Sequence, residues 1–513
     1  MDFLTAFLAV LLGLLGVYYF AFRSLNHFKK LGIPYVPTLP LVGNMGPFLF
    51  RLKPIASVIQ DAYDLFPDAK YVGFYDVGNP VIIIRDPELI KTIAVKNFDD
   101  FPNHRAFLDP ELDPLFANNL FSLRDDTWRQ MRTLLSPAFT SSKMKLMFKL
   151  MSKCAGNFAD HVAAGRVGDK NVVETKLAFT RYTNDVIATC AFGIEVDSMK
   201  NPKNEFYVLG RRATNFDGIL SLKMFMSRSF PGISKVFGIK VVEDRVARFF
   251  NDIVAATVAT REEKGLTRPD MIQLMMEARG KDGMPTLDIE AMTSQAFVFF
   301  FGGFDTSSSH MCFAAHEIAV NPDVHDRLQA EVDSVLQETG GNPTYEAINA
   351  MEYLGAVLNE ALRMYPIGPF ADRLSARSFE LPPALPGLKP ITIEPGTNVW
   401  FPIFPIHRDP LYYPNPDKFD PERFLGEDKI NTSNSATFLT FGLGPRICIG
   451  NRFAILETKV VLFHLLARCN LKPCSKTTYP MVFSKKSFAM LPKNGFWLKF
   501  EPREKTYLSP ASD

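Results

Sequence analysis

The run AFVFFFGGFDTSSS, residues 296–309, is apolar on every face of a helix until Asp305. A surface helix carries one apolar stripe, whereas a helix that is apolar all round must run through an interior. The flanking pattern predicts a helix from Thr286, as N-cap with Asp288 and Glu290 in the first turn, to just before Asn321-Pro322. That is roughly nine turns at 3.6 residues each. Enclosing such a rod takes a large body, and 513 residues at 47% hydrophobic and 22% charged composition supply one. The same composition excludes a disordered chain and a disulfide mini-scaffold.

Most of the remaining chain reads as helix. Strand patterns are confined to KYVGFYDVGNPVIIIRD, LKPITIEPGTNVWFPI and short stretches near the end such as GFWLKF. No internal repeat or low-complexity tract breaks the body, which predicts one domain. The expected class is therefore mainly α, with a long central helix and a smaller β-rich portion built from N- and C-terminal segments. Ahead of it, residues 3–22 are uncharged and apolar, long enough to cross a hydrocarbon core of roughly 30 Å. Asp2 precedes this run and Arg23, Lys29 and Lys30 follow it, a charge order that fits an anchor with the body on the cytosolic side. We read residues 1–22 as one transmembrane anchor, 23–43 as a basic flank and Pro-rich linker, and 44–513 as the catalytic domain.

Lys+Arg number 57 against 55 Asp+Glu. The resulting net charge of +2 speaks against a nucleic-acid partner. Six cysteines, Cys154, Cys190, Cys312, Cys448, Cys469 and Cys474, lack zinc-site or disulfide spacing and fit free thiols in a reducing compartment. The 46 Phe suggest a deep apolar interior that receives an apolar ligand, although core packing explains them as well.

Cys448 stands in FGLGPRICIG, residues 441–450, just before NRFAILETKVVLFHLLA, which reads as an amphipathic helix. A helix N-terminus favours thiolate over thiol, and Gly442, Gly444 and Gly450 allow close backbone approach. No His is near in sequence to act as base and no second Cys to chelate, so a single axial thiolate on a haem iron uses the features best. Two further groups stand out. Gly302-Gly303-Phe304-Asp305-Thr306 puts two glycines, costing about 1 kcal/mol each, mid-helix beside an acid and an alcohol that can relay protons. Taken alone, Thr306 is equally a back-bonding helix residue. Glu360 and Arg363 share one helix face, and Arg423 in DPERF could complete a buried charge network, which we read as structural.

Taken together, the FxxGxRxCxG loop, the G-G-x-D-T motif, ExxR and PERF resemble the cytochrome P450 family, in character its animal microsomal branch of insect detoxification and mammalian drug-metabolising members. The resemblance spans nearly the whole chain and implies the P450 fold. It makes Cys448 the iron ligand of haem b, and Arg446, Arg373, Trp128 and Arg132, the last two in W-x-x-x-R, its propionate contacts. His104 or Arg105 is a weaker further candidate. Asp305 and Thr306 would deliver protons, and Gly302 and Gly303 would leave room for O₂, with Gly302 standing where many relatives carry Ala. Pocket walls would be Phe121, Val298, Phe301, Gly302, Ile367, Gly368, Phe370 and Phe488, all apolar or aromatic apart from the glycines.

The implied activity inserts one atom of O₂ into lipophilic small molecules, xenobiotic or endogenous. Electrons would come from NADPH through NADPH-cytochrome P450 reductase, with cytochrome b5 as an additional candidate donor, at the endoplasmic reticulum membrane. Arg124, Arg129, Lys143, Lys145 and Lys149 around the Trp128 helix would steer an acidic flavoprotein. Asn215 to Lys235, with Phe216, Met224, Phe225, Met226 and Phe230, would form a membrane-dipping entrance. Two other readings stay open: a reductase-independent haem-thiolate isomerase, and a membrane-anchored ligand-sequestering protein.

Overall fold

A computed structural model describes residues 26–504 except 107, 166–167, 169–170, 215–218, 269, 280–286, 428 and 433–434, with a few positions before residue 26. The run 3–22, read as an anchor, lies mostly outside the described residues. Among those described, no helix is long and apolar enough to cross a membrane.

Six helices frame the site: α1 (Asp125–Leu135), α2 (Ser141–Ala163), α3 (Thr175–Ile187), α4 (Ile289–Val320), α5 (Glu352–Met364) and α6 (Asn451–Arg468). The interior helix α4 has 32 residues, close to nine turns. Its start differs from the expectation. Thr286 lies outside the described residues, and the cap is Asp288, whose carboxylate accepts from the Ala291 N–H at 2.7 Å. On one flank of α4, Phe300 packs edge-on to Phe206 and tilted against Phe250, with ring centroids 5.4 and 5.1 Å apart. Much of the Phe content is thus core.

Helix α6 is a correction. Its sequence suggested an amphipathic rod, yet every residue from Leu456 to Ala467 is buried. Packing against α2 on one side and α4 and α5 on others leaves it no wet face. Its polar side chains therefore need internal partners. Lys459 Nζ donates to the Asn349 and Met351 carbonyls, and His464 meets the Ser152 hydroxyl at 2.9 Å.

Strands β1 (Tyr71–Asp76) and β2 (Asn79–Ile84), within the first stretch read as strand, form an antiparallel hairpin. They join a four-stranded sheet in the order β1-β2-β7-β4, with β2 parallel to β7 (Asn398–Phe401) and β7 antiparallel to β4 (Ala371–Leu374). A second sheet, β3-β9-β8, ties Val172–Glu174 to Trp497–Pro502 and Cys469–Lys472. The pair β5 (Phe379–Leu381) and β6 (Ile391–Ile393) completes the β structure.

The segment read as a linker is docked from Phe28 onward. Phe28 is fully buried beneath Tyr75, and the Val36 N–H donates to the Gly73 carbonyl while the Gly73 N–H donates to the Pro34 carbonyl. A Cβ at Gly73 would lie 2.4 Å from the Phe28 ring. The folded body therefore begins before residue 44.

Candidate active site

The loop carrying Cys448 is shaped by glycines at left-handed positions. Gly444 has φ +74°, and a Cβ there would sit 2.0 Å from the Ala94 carbonyl oxygen, so only glycine allows this approach. The Cys448 N–H donates to the Phe441 carbonyl at 2.8 Å, and α6 starts three residues later with Gly450 as its cap. Behind the loop, His407 Nε2 accepts from the Leu439 N–H and Nδ1 meets the Arg363 carbonyl. That pairing requires neutral imidazole with its proton on Nδ1, and burial holds His407 down at about 3. Arg363 in turn forks onto Glu360 at 2.7 and 2.8 Å, both fully buried, with Arg423 at 3.4 Å. The predicted charge network therefore exists and braces the cysteine loop through His407, a member the sequence did not reveal.

A cavity of about 480 Å³ gathers most of the predicted site. Cys448 lies deep in the protein with its thiol open to this cavity. Burial pushes the thiol up, opposed by the Gly450 N–H and the Arg132 charge. The expected thiolate preference at a helix start is therefore outweighed, and a coordinated cation would be needed to deprotonate it outright.

Beside Cys448 the wall is cationic: Arg132 from α1, Arg373 from β4 and Arg446 from the loop line the cavity, with Trp128 and His104. Arg446 donates to the Pro102 and Leu123 carbonyls and lies 4.0 Å over the Trp128 ring. Arg373 is buried with its Nε unpartnered. Burial pulls Arg373 down to about 10, and burial with the Arg373 charge pulls Arg446 to about 9. His104 Nδ1 meets Asp372 at 2.9 Å, whereas Arg105 is not on the cavity wall and pairs with Asp76 at 3.0 Å.

The opposite wall is α4. Gly302 faces open space, since a Cβ there would meet nothing within 4 Å. Gly303 also lines the cavity and serves packing as well, because a Cβ there would lie 2.5 Å from Ile187 Cδ1 and its absence lets α4 approach α3 closely. Thr306 lines the cavity and its hydroxyl donates to the Gly302 carbonyl. Asp305 is not on the wall. It pairs with Lys176 Nζ at 2.8 Å, and that ammonium also donates to the Ser308 and Ser309 hydroxyls. Phe121, Val298, Phe301, Ile367, Gly368 and Phe370 line the cavity as expected. Phe488 does not: its ring packs on Phe48 at 4.6 Å, in the cluster beside Trp400. Phe116, Leu120, Phe139, Met147 and Ile187 are walls the sequence did not single out.

The sequence model of the cytochrome P450 family matches residues 34–499. The chain belongs to the cytochrome P450 family. It is 45% identical over 534 residues to cytochrome P450 9e2 of Blattella germanica, covering 98% of each chain. Two relatives from Drosophila melanogaster are each 38% identical: probable cytochrome P450 9f2, over 95% of this chain and 97% of its own, and cytochrome P450 6a8, over 94% and 96%. This P450 is thus a haem-thiolate monooxygenase in general class. The cavity fits that cofactor. Haem presents one iron and two carboxylates to its protein, and this end of the cavity offers the Cys448 thiol and three guanidiniums, one with an orphan Nε, in otherwise apolar surroundings.

Proposed function

We propose that this P450 inserts one oxygen atom into lipophilic small molecules, using NADPH through a flavoprotein reductase, at the endoplasmic reticulum membrane. The observation that carries the reading is the cavity in which an aromatic and aliphatic wall, Thr306 and Cys448 face one volume. The balanced reaction is RH + O₂ + NADPH + H⁺ → ROH + H₂O + NADP⁺. When bound, haem supplies the reductive activation of O₂.

The chain's own groups do the rest. Cys448 would supply the sulfur ligand, and Arg132, Arg373, Arg446 and Trp128 would hold the propionates by charge-assisted hydrogen bonds. Thr306 holds a hydroxyl proton at the cavity face, with the Lys176–Asp305 pair one helix step away. Phe116, Phe121, Phe301 and Phe370 exclude water and offer few directional contacts, which favours breadth over sharp discrimination.

Partner and membrane readings rest on the outer surface. Of the five cations proposed to steer a reductase, Arg129 is paired with Asp99 and Lys145 with Glu346, leaving Arg124, Lys143 and Lys149 to carry more of the attraction. The entrance segment has exposed Leu222, Phe230 and Ile233, with exposed Val236 and Phe237 just beyond it, apolar surface suited to a lipid interface. Met224 and Phe225 instead pack inward, and Phe216 lies outside the described residues. An anchor over 1–22 completes this placement.

The test is turnover of a panel of lipophilic compounds under ¹⁸O₂ with NADPH and reductase. One labelled oxygen in the product, dependent on both, is expected. Turnover without NADPH would indicate the isomerase instead, and tight binding without any product the sequestering protein.

A further inference from the structure

One flank of the main cavity carries sulfur. Met147 of α2, Met271 at the start of the helix Met271–Ala278, and Cys190 of the π-helical turn Ala188–Phe192 all line it, and each is buried. The elements that carry them pack on one another: the helix Met271–Ala278 lies against α1, α4 and the π-helical turn, and α2 lies against the same turn. This flank adjoins the cysteine loop. Phe139, also on the wall, stands 5.6 Å from Phe299 of α4, and a Cβ at Gly450 would lie 3.9 Å from the Phe139 ring.

Methionine is a common filler of irregular cores. Met131, Met144, Met151, Met275 and Met292 do that here, buried and off the cavity wall. Met147 and Met271 differ from them in bordering the volume that Cys448 and Thr306 also border. A thioether has no proton to lose, so burial does not silence it, and peroxide converts it to the sulfoxide. A thiol reacts as thiolate, and burial drives Cys190 well above its ordinary range, so it stays protonated and unreactive. The two methionines are therefore the reducing groups of this flank.

We infer that Met147 and Met271 form a sacrificial thioether pair of this P450, reducing hydrogen peroxide released inside the cavity before it reaches the Cys448 sulfur. The inference rests on the monooxygenase reading, which supplies the oxidant. When two electrons reach O₂ and no substrate takes an oxygen atom, O₂ + NADPH + H⁺ → H₂O₂ + NADP⁺. The step then balances: a lone pair of the methionine sulfur takes one peroxide oxygen, the O–O bond breaks, and the other oxygen leaves with both protons as water. Sulfur is oxidised by two electrons and peroxide is reduced by two. Methionine sulfoxide reductases restore the thioether, so the pair acts repeatedly in a cell.

The experiment turns over the holoenzyme with reductase and NADPH under ¹⁸O₂, without substrate and with catalase in the bulk solution to destroy escaped peroxide. Peptide mass spectrometry should find one ¹⁸O on Met147 and on Met271, severalfold ahead of half-buried Met226 at the entrance and of buried Met151 and Met275 off the wall. The double variant Met147→Leu, Met271→Leu exchanges side chains of similar volume, which cores tolerate. In the same reaction it should lose its thiolate-shifted carbon monoxide band severalfold faster than wild type. No label at Met147 and Met271, equal labelling of Met226 or Met151, or band loss at the wild-type rate in the double variant would overturn the inference. A wild-type sample that starts with no thiolate-shifted band, or that consumes no NADPH, strikes the monooxygenase reading and the inference with it. If the double variant does not fold, the wild-type labelling pattern and the single variants M147L and M271L decide.

Discussion

At the scale of single residues, the glycines of two motifs do different things, and substitution separates them. Gly302 has open space where a side chain would go, so Gly302→Ala should stabilise by up to about 1 kcal/mol, the helix-propensity difference, and narrow the cavity. Chemical denaturation reads that directly. Gly444→Ala meets a backbone oxygen and a left-handed φ, so it should lose folded, haem-loaded protein altogether. Absorbance per unit protein measures this loss. What was legible in the sequence at this scale was chemistry carried by rare local combinations. Cys448, Thr306 and Arg446 lie in short motifs, and all reach one cavity. Asp305 and Phe488 share that motif-level logic but not the wall, because Lys176 from α3 turns the acid aside and Phe48 claims the ring. Those partners lie more than a hundred residues away, where local pattern says nothing.

At the scale of elements, the brace behind the cysteine loop is the testable unit. Glu360 is held by Arg363 and by Arg423 and also accepts from the Asp420 N–H at 2.9 Å. Removing one partner leaves a buried charge unpaired, which costs about 3–5 kcal/mol. Arg363→Ala should therefore lower the unfolding free energy by that amount and depress haem retention together, because the guanidinium that donates to the His407 carbonyl at 2.7 Å is lost and His407 in turn holds the Leu439 N–H. Unfolding midpoints followed by far-UV circular dichroism and by haem absorbance should shift in parallel. The long helix α4 was legible because its apolarity has no period, a property of the sequence itself. Helix α6 was misread for the opposite reason: Glu457, Thr458, Lys459 and His464 look like a wet face until α2, α4 and α5 cover them. Short strands such as β3, β4 and β8 draw their existence from pairing partners far along the chain, so no local signal announces them.

At the scale of the whole molecule, buried histidines set the acid limit. His310 and His316 are held at about 4, and His407 and His464 at about 3, chiefly by burial. Their unfolded counterparts titrate near 6.5. Between those values the unfolded chain binds more protons than the folded one, so stability is fully present above about pH 6.5 and falls as the pH drops. Each such histidine removes about 2 kcal/mol by pH 5, at about 1.4 kcal/mol per unit. Buried carboxyls such as Asp185, held up at about 7, bind protons in the folded state and oppose this slope, so the histidine share is read as a difference: between pH 7 and pH 5 His464→Gln should lose less Tm than wild type. Equal losses in wild type and H464Q would contradict the burial of His464 as the cause.

At the centre of the molecule, the proposed function makes Cys448 the thiol that would meet haem iron at the cation-rimmed end of the cavity. The measurement that tests this most directly is the absorption spectrum of the reduced protein with carbon monoxide, for wild type and Cys448→Ser. The account predicts a thiolate-shifted Soret band in the wild type that is absent from C448S, while haem remains held by Arg132, Arg373 and Arg446. A wild-type protein without haem, or a C448S variant that keeps the thiolate-shifted band, would contradict it.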